Sequence, residues 1–246
     1  MSNIFSKIYA SVLVTAVYAM KNYPTMVISS LLTPFSLLIF VILISKGALL
    51  DIAIIGAILS TMISSGIVLQ IDLSHLKNDF KMQDMIVSSP TSAFIYIFGM
   101  SISELVYNLP TFAILISLAV FFVHIPLVPI LTIILVMCMS FAFSTSLGFL
   151  ISTFSSDMMQ SWTFSGILTI LLTTISPIYY PITYIPLPFR YVAYLSPTTY
   201  AAEIAQNALG SLKLPLFTLI INWIVLIALS AIILVIAIKK NRWREK

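Results

Sequence analysis

Ser101, Glu104, Asn108 and Thr111 recur at spacings of three, four and three inside a long apolar stretch, which stacks them along one face of a helix. A carboxyl group in the middle of that stripe, close to Pro110, points to a polar path or its gating. In lipid a carboxyl costs several kcal/mol, so Glu104 has to face protein or water. Two readings follow. Either Glu104 faces the interior of a bundle or a seam between two chains and helps set a path, or it makes a structural hydrogen bond to a neighbouring helix. Other chemistry is sparse. His75 and His124 fall in loops on opposite sides of the membrane, outside any close-spaced metal motif. Cys138 stands alone in an apolar run, so no intrachain disulfide forms. There is no Gly-x-x-x-x-Gly-Lys-Ser/Thr phosphate loop, and the seven glycines are scattered. The expectation is a chain with no catalytic residue, no bound cofactor and no metal.

Two further segments stand out. Between the second and third apolar stretches, residues 74–90 mix charges with an apolar knob: Asp79, Phe80, Lys81, Met82, Asp84, Met85 and Ile86 suit a short helix. Such a knob either docks into a groove on a cytoplasmic partner or lies flat on the membrane. Later, residues 176–200 concentrate five prolines and six tyrosines between two apolar spans. Proline removes a backbone donor, and broken backbone at a membrane is tolerated only where protein or water shields it. Pro177, Tyr180, Pro181, Pro186 and Pro197 therefore read as a cap at one mouth of a helical bundle.

The elements that would position these residues are helices in lipid. The 246 residues are 60% hydrophobic and 8% charged, with mean hydropathy +1.11, against roughly 25% charged in soluble domains. The pattern predicts an all-α integral membrane protein of one domain. Spans are expected over 25–45, 52–71, 94–123, 127–151, 162–178 and 216–238. The third is long enough to tilt, kink at Pro110 or project into water. Residues 1–23 read as an interfacial amphipathic helix, with Lys7, Ser11, Thr15, Tyr18 and Asn22 on one face. Neither an early positive cluster nor a small-residue cleavage site marks this stretch as a secretory signal. Polar loops are expected over 72–92 and 152–161, and a non-crossing element over 179–212. Of the twelve basic residues, nine fall on the side shared by both termini and only Lys46, Arg190 and Lys213 on the other, which puts the termini in the cytoplasm. The basic run at the C-terminus reads as a stop after the last span and not as a nucleic-acid site. Three small-residue stripes, Gly56/Ser60/Ser64, Ser140/Ser144/Gly148 and Ser165/Thr169/Thr173, either pack helices closely or line a polar cavity.

In their order these pieces resemble the ABC-2 type permease family, the membrane subunits of many ABC exporters, including multidrug and daunorubicin-type permeases. The resemblance rests on residues 79–90 followed by Gly99, on Ser176 to Pro181 with Ile185-Pro186, and on Leu195-Ser-Pro-Thr-Thr-Tyr-Ala-Ala-Glu-Ile204. It departs at Lys81 or Met82 and at Pro177, where relatives often carry glycine, and at Gln206, near which many carry a basic residue.

The resemblance implies an interfacial N-terminal helix, six spans, a cytoplasmic coupling helix after the second and an extracellular re-entrant element before the last. It also implies a separate nucleotide-binding ATPase subunit that holds ATP and magnesium. Asp79, Phe80, Lys81, Asp84 and Met85 would contact that subunit, and a second permease chain, identical or not, would complete the path. The expected activity is ATP-driven export of an amphiphile, a drug, lipid or hydrophobic peptide, across the plasma membrane. Export of lipid-linked glycans is the nearest alternative. From other classes, an ion-coupled secondary transporter would use intramembrane carboxylates and internal repeats, and an intramembrane enzyme would need converging catalytic groups. Glu104 is the single clear mid-span acid in this reading, and no repeat is visible.

Overall fold

The second apolar stretch becomes the axis of the molecule. In the computed structural model, which describes residues 4–78, 93–123 and 126–240, this stretch is buried over 83% of its most apolar window, whereas the first span is buried over 11%. A helix this enclosed must let neighbours approach closely, and its small residues do so. A Cβ on Gly66 would run into the Ser144 hydroxyl and lie 2.6 Å from Thr145 N, and one on Gly148 would lie 2.6 Å from Gly66 O.

Every regular element among the described residues is helical. The N-terminal segment comprises α1 (Ile4–Ser11), a π-helical stretch (Val12–Val17) and α2 (Tyr18–Asn22). The spans are α3 (Pro24–Ser45), α4 (Leu50–Asn78), the pair α5 (Ala93–Tyr107) and α6 (Leu109–Phe122), and α7 (Leu127–Ser152). Next comes α8 (Met158–Ile170), which continues into a second π-helical stretch (Leu171–Ile175). A 3₁₀ turn (Ile182–Tyr184) and the short helices α9 (Leu187–Ala193) and α10 (Pro197–Ala208) precede α11 (Leu216–Lys240). Among the described residues five helices are long and apolar enough to cross a membrane, and a sixth crossing follows if α5 and α6 count as one. Around α4 are packed α3, α5, α6, α7 and α8, with α10 wedged against α7 and α11.

The third span is broken, not merely tilted. Residues 98–107 and 109–122 meet at 59°, with Asn108 at φ −88° and ψ 4° as the hinge. Pro110 has no N–H for the carbonyl four residues back, and in the first turn of α6 this loss costs nothing, so the chain restarts there. The 14 residues of α6 span about 21 Å, less than the roughly 30 Å of hydrocarbon. The preceding α5 lies along the N-terminal segment, where Ser11 Oγ is 3.2 Å from Ser103 Oγ and 3.5 Å from Met100 Sδ. Ser11 and Thr15 of the expected polar face thus meet protein, while Tyr9, Val14, Tyr18 and Asn22 remain exposed. The extra residue per turn in the π stretch rotates the register, so Tyr18 leaves the face expected of it.

Helix ends sort into two sides. The Lys240 ammonium sits 5.4 Å over the Phe154 ring, joining the end of α11 to the loop after α7. Asp51, Tyr184 and Lys213 line a common cleft of about 530 Å³ at the opposite ends. This is the parity that an even number of crossings requires.

Candidate functional site

One cavity of about 360 Å³ lies between α3 and α8, with α4 as its back wall. From α3 come Ser30, Thr33 and Pro34, from α4 Ser60, Ser64 and Asp72, and from α8 and the following π stretch Trp162, Thr169 and Thr173. Thr15 and Ala19 of the N-terminal segment, with Glu104, Tyr107 and Asn108 at the end of α5, close it. The cavity therefore touches both π-helical stretches, a backbone irregularity common at functional sites.

The polar stripe of the third span divides. Glu104 and Asn108 reach the cavity wall, and the Asn108 side chain donates to Glu104 O at 3.0 Å, bracing the hinge. Ser101 and Thr111 are buried outside the lining, and Thr111 Oγ1 has no hydrogen-bond partner. The small stripes divide too. Ser60, Ser64, Thr169 and Thr173 line the cavity. Ser140, Ser144 and Gly148 form the close α4–α7 crossing instead, and a Cβ on Gly56 would lie 2.5 Å from Ile178 O.

Glu104 has a partner that the expected span boundaries hid. The second span does not stop at Ile71. α4 runs on through Asn78, so Asp72 is a helical residue, not the start of a loop, and its side chain hydrogen bonds to Glu104, with His75 acting on it from the next turn. The signal was present: the fourfold series of Ser60 and Ser64, continued, passes through Val68 to Asp72.

The proline- and tyrosine-rich segment forms a second polar cluster. Its prolines occupy positions where a missing N–H is harmless: Pro181 and Pro186 cap the 3₁₀ turn and α9, and Pro197 begins α10. Pro177, Pro181 and Pro197 are buried, Tyr180 is half-buried and Pro186 is exposed. Nearly all of α10 is buried beneath these turns. Gln206 Nε2 donates to Pro177 O at 2.8 Å and Tyr180 O at 3.2 Å, so the amide holds the turn. Arg190 likewise donates to the Thr183 and Ile185 carbonyls. Glu203, 1% exposed, accepts from Tyr194 Oη at 2.9 Å and from Asn222 Nδ2 of α11 at 2.7 Å. Burial, and then the hydrogen bond and charge of Glu203, push the Tyr194 phenol up to about 12, so it remains a donor at neutral pH. Glu104 is thus not alone: half-buried Asp72 joins it at the end of α4, and Glu203 is a second buried acid in the segment before the last span.

Asp79, Phe80, Lys81, Asp84 and Met85 lie outside the described residues, as does His124. Cys138 is exposed. Among the described residues no group of three His, Cys, Asp or Glu is placed to hold a metal ion.

Apolar helices around an enclosed axis, one broken span and a buried helix behind a proline-rich turn define a multi-pass all-α membrane protein. The ABC-2 type transporter family model matches residues 1–210, and the chain belongs to that family. It is a membrane permease component of an ABC transporter. No curated protein matches the chain.

Proposed function

We propose that this chain is the permease subunit of an ATP-driven exporter, working with a second permease chain and a separate nucleotide-binding subunit, and that the cavity between α3 and α8 is its half of the path. The observation that carries the reading is the cavity itself. It is walled mostly by apolar surface with hydroxyls at intervals, and at about 360 Å³ it falls in the range of small-molecule sites, roughly 300–1,000 Å³. Its walls α3 and α8 both rest on α4, so a second chain facing them would close a shared passage. An amphiphile suits such a lining better than a sugar or an ion.

Mechanically, residues 79–92 connect α4 to α5, which carries Glu104 and packs on the N-terminal segment. A push on those residues by a nucleotide-binding subunit would reach the cavity through the Asn108 hinge. The buried α10 and its turns would act as the outward cap. Both termini then face the cytoplasm of a cell whose plasma membrane holds the complex, and ATP and magnesium stay on the partner.

The test is uptake of a fluorescent amphiphile by inside-out vesicles of the native host, with and without this gene, with ATP or a non-hydrolysable analogue. Gene- and ATP-dependent uptake that Ser64→Phe abolishes is the expected result. Uptake unaffected by that substitution, in a chain shown to be inserted, would sink the assignment of the path.

A further inference from the structure

A hydroxyl whose proton is bonded elsewhere offers a cavity only lone pairs. All serines and threonines bordering the cavity except Thr169 bond back to a carbonyl of their own helical segment, and Ser60 also bonds to the Tyr179 hydroxyl, where either oxygen can be the donor. Ser64 and Ser65 show the pattern, bonded to Ser60 O at 2.8 Å and Thr61 O at 2.7 Å. Asn108 commits an amide N–H to Glu104 O, leaving its own carbonyl oxygen as an acceptor. Pro34 on the same wall has no N–H for the Ser30 carbonyl one turn back, which frees another acceptor where both residues line the space. Independently, the wall carries the carboxyl groups of Asp72 and Glu104, and no lysine, arginine or histidine among its described residues. Trp162 and Tyr107 add aromatic faces, which attract cations, and their indole N–H and phenol O–H are donors set among a larger number of acceptors.

An acceptor-rich, cation-free lining is complementary to a ligand that donates. We infer that the cavity takes a hydrophobic amine, an amphiphile with a protonated, hydrogen-bond-donating head and an apolar body, and that it disfavours anionic amphiphiles. The inference rests on reading this cavity as the transport path and names the substrate class. A phosphate-bearing lipid would meet lone pairs and carboxyl groups with no lysine, arginine or histidine in the described lining, so lipid-linked glycans fit poorly. A permanently charged head without N–H groups would keep the Coulombic attraction but lose the hydrogen bonds, and would bind less tightly than an ammonium of equal chain length.

The test uses the full chain in nanodiscs with Trp223→Phe and Trp243→Phe, which leaves Trp162 as the reporter in the cavity wall. Quenching of Trp162 is titrated with decylammonium, decyltrimethylammonium, decanoate and decyl phosphate, and partition into chain-free nanodiscs is subtracted. Decylammonium is expected to bind tightest, at least tenfold tighter than either anion, with decyltrimethylammonium between them. Asp72→Asn with Glu104→Gln is expected to weaken decylammonium about tenfold or more, the effect of losing charge-assisted hydrogen bonds. An anion that binds as tightly as the ammonium, or a folded double variant of unchanged affinity, overturns the inference. If that variant does not fold, the ligand order on the unsubstituted carboxyl pair decides alone. ATP-dependent vesicle uptake separates the two readings. Gene-dependent uptake of the anions but not the amine leaves the exporter standing and removes the amine preference. Amine binding without ATP-dependent uptake does the reverse.

Discussion

Replacing Glu203 by alanine should loosen the proline- and tyrosine-rich end of the fold. The carboxylate ties three elements together: Tyr194 after α9, its own helix α10, and Asn222 on α11. Removing it leaves the Asn222 amide, on a side chain 2% exposed, without its acceptor, and Tyr194 without a partner for its hydroxyl. A hydrogen bond to a charged group contributes about 1.5–3 kcal/mol, and an orphaned buried donor costs about 1–3 kcal/mol. Tyr194 is only half-buried and recovers part of its loss through water or lipid headgroups. Glu203→Ala should therefore cost about 3 kcal/mol, a fall in Tm of about 6–12 °C for a chain of this size. Glu203→Gln keeps an acceptor for Asn222 and should cost about half as much. Glu203→Leu combined with Asn222→Leu removes both members of the buried pair, and should recover much of the alanine loss, because matched apolar partners need no hydrogen bond. Thermal unfolding of the parent and the three variants in one detergent, with hydrogen exchange over 197–208, measures all of this. Glu203→Ala within 0.5 kcal/mol of the parent, or a double variant less stable than Glu203→Ala, would refute the idea that this carboxylate clasps the cap.

Gly148→Ala places a Cβ 2.6 Å from Gly66 O, so α4 and α7 must separate. A loss of about 1–3 kcal/mol is expected in the same unfolding assay, while Gly166→Ala, where nothing lies within 4 Å, should be neutral or stabilising. The Tyr194 phenol is raised to about 12 from about 10 in an unfolded chain. Its contribution is therefore complete below pH 10 and lost as pH climbs through 12, and Tyr194→Phe should flatten that part of the stability profile. Gln206→Leu strips the donor from the Pro177 and Tyr180 carbonyls and should cost about 1–3 kcal/mol, with faster exchange at residues 176–181. Equal exchange in parent and variant would remove the role given to that amide.

The sequence alone determined the solvent and the order of elements. Residue counts placed the chain in lipid, and apolar run lengths matched three of the long helices closely, with 25–45 observed as Pro24–Ser45, 127–151 as Leu127–Ser152 and 216–238 as Leu216–Lys240, but not the second, 52–71, observed as Leu50–Asn78. The proline in the third span also marked the neighbourhood of its break. These are properties of one helix and its immediate surroundings. Periodicity says which side chains share a face and is silent about what that face meets. Hence the three small-residue stripes looked alike on paper, yet in the folded chain one packs α4 on α7 while parts of the others border the cavity. Glu104 was conspicuous by itself, but its contact with Asp72 depends on α4 running past the expected lipid boundary and on the hinge at Asn108 setting the depth of α5. Glu203 meets its partners across 9 and 19 residues of chain. Only tertiary structure decides such pairings, because a buried polar group takes its partner from whichever helix packing brings within about 3 Å.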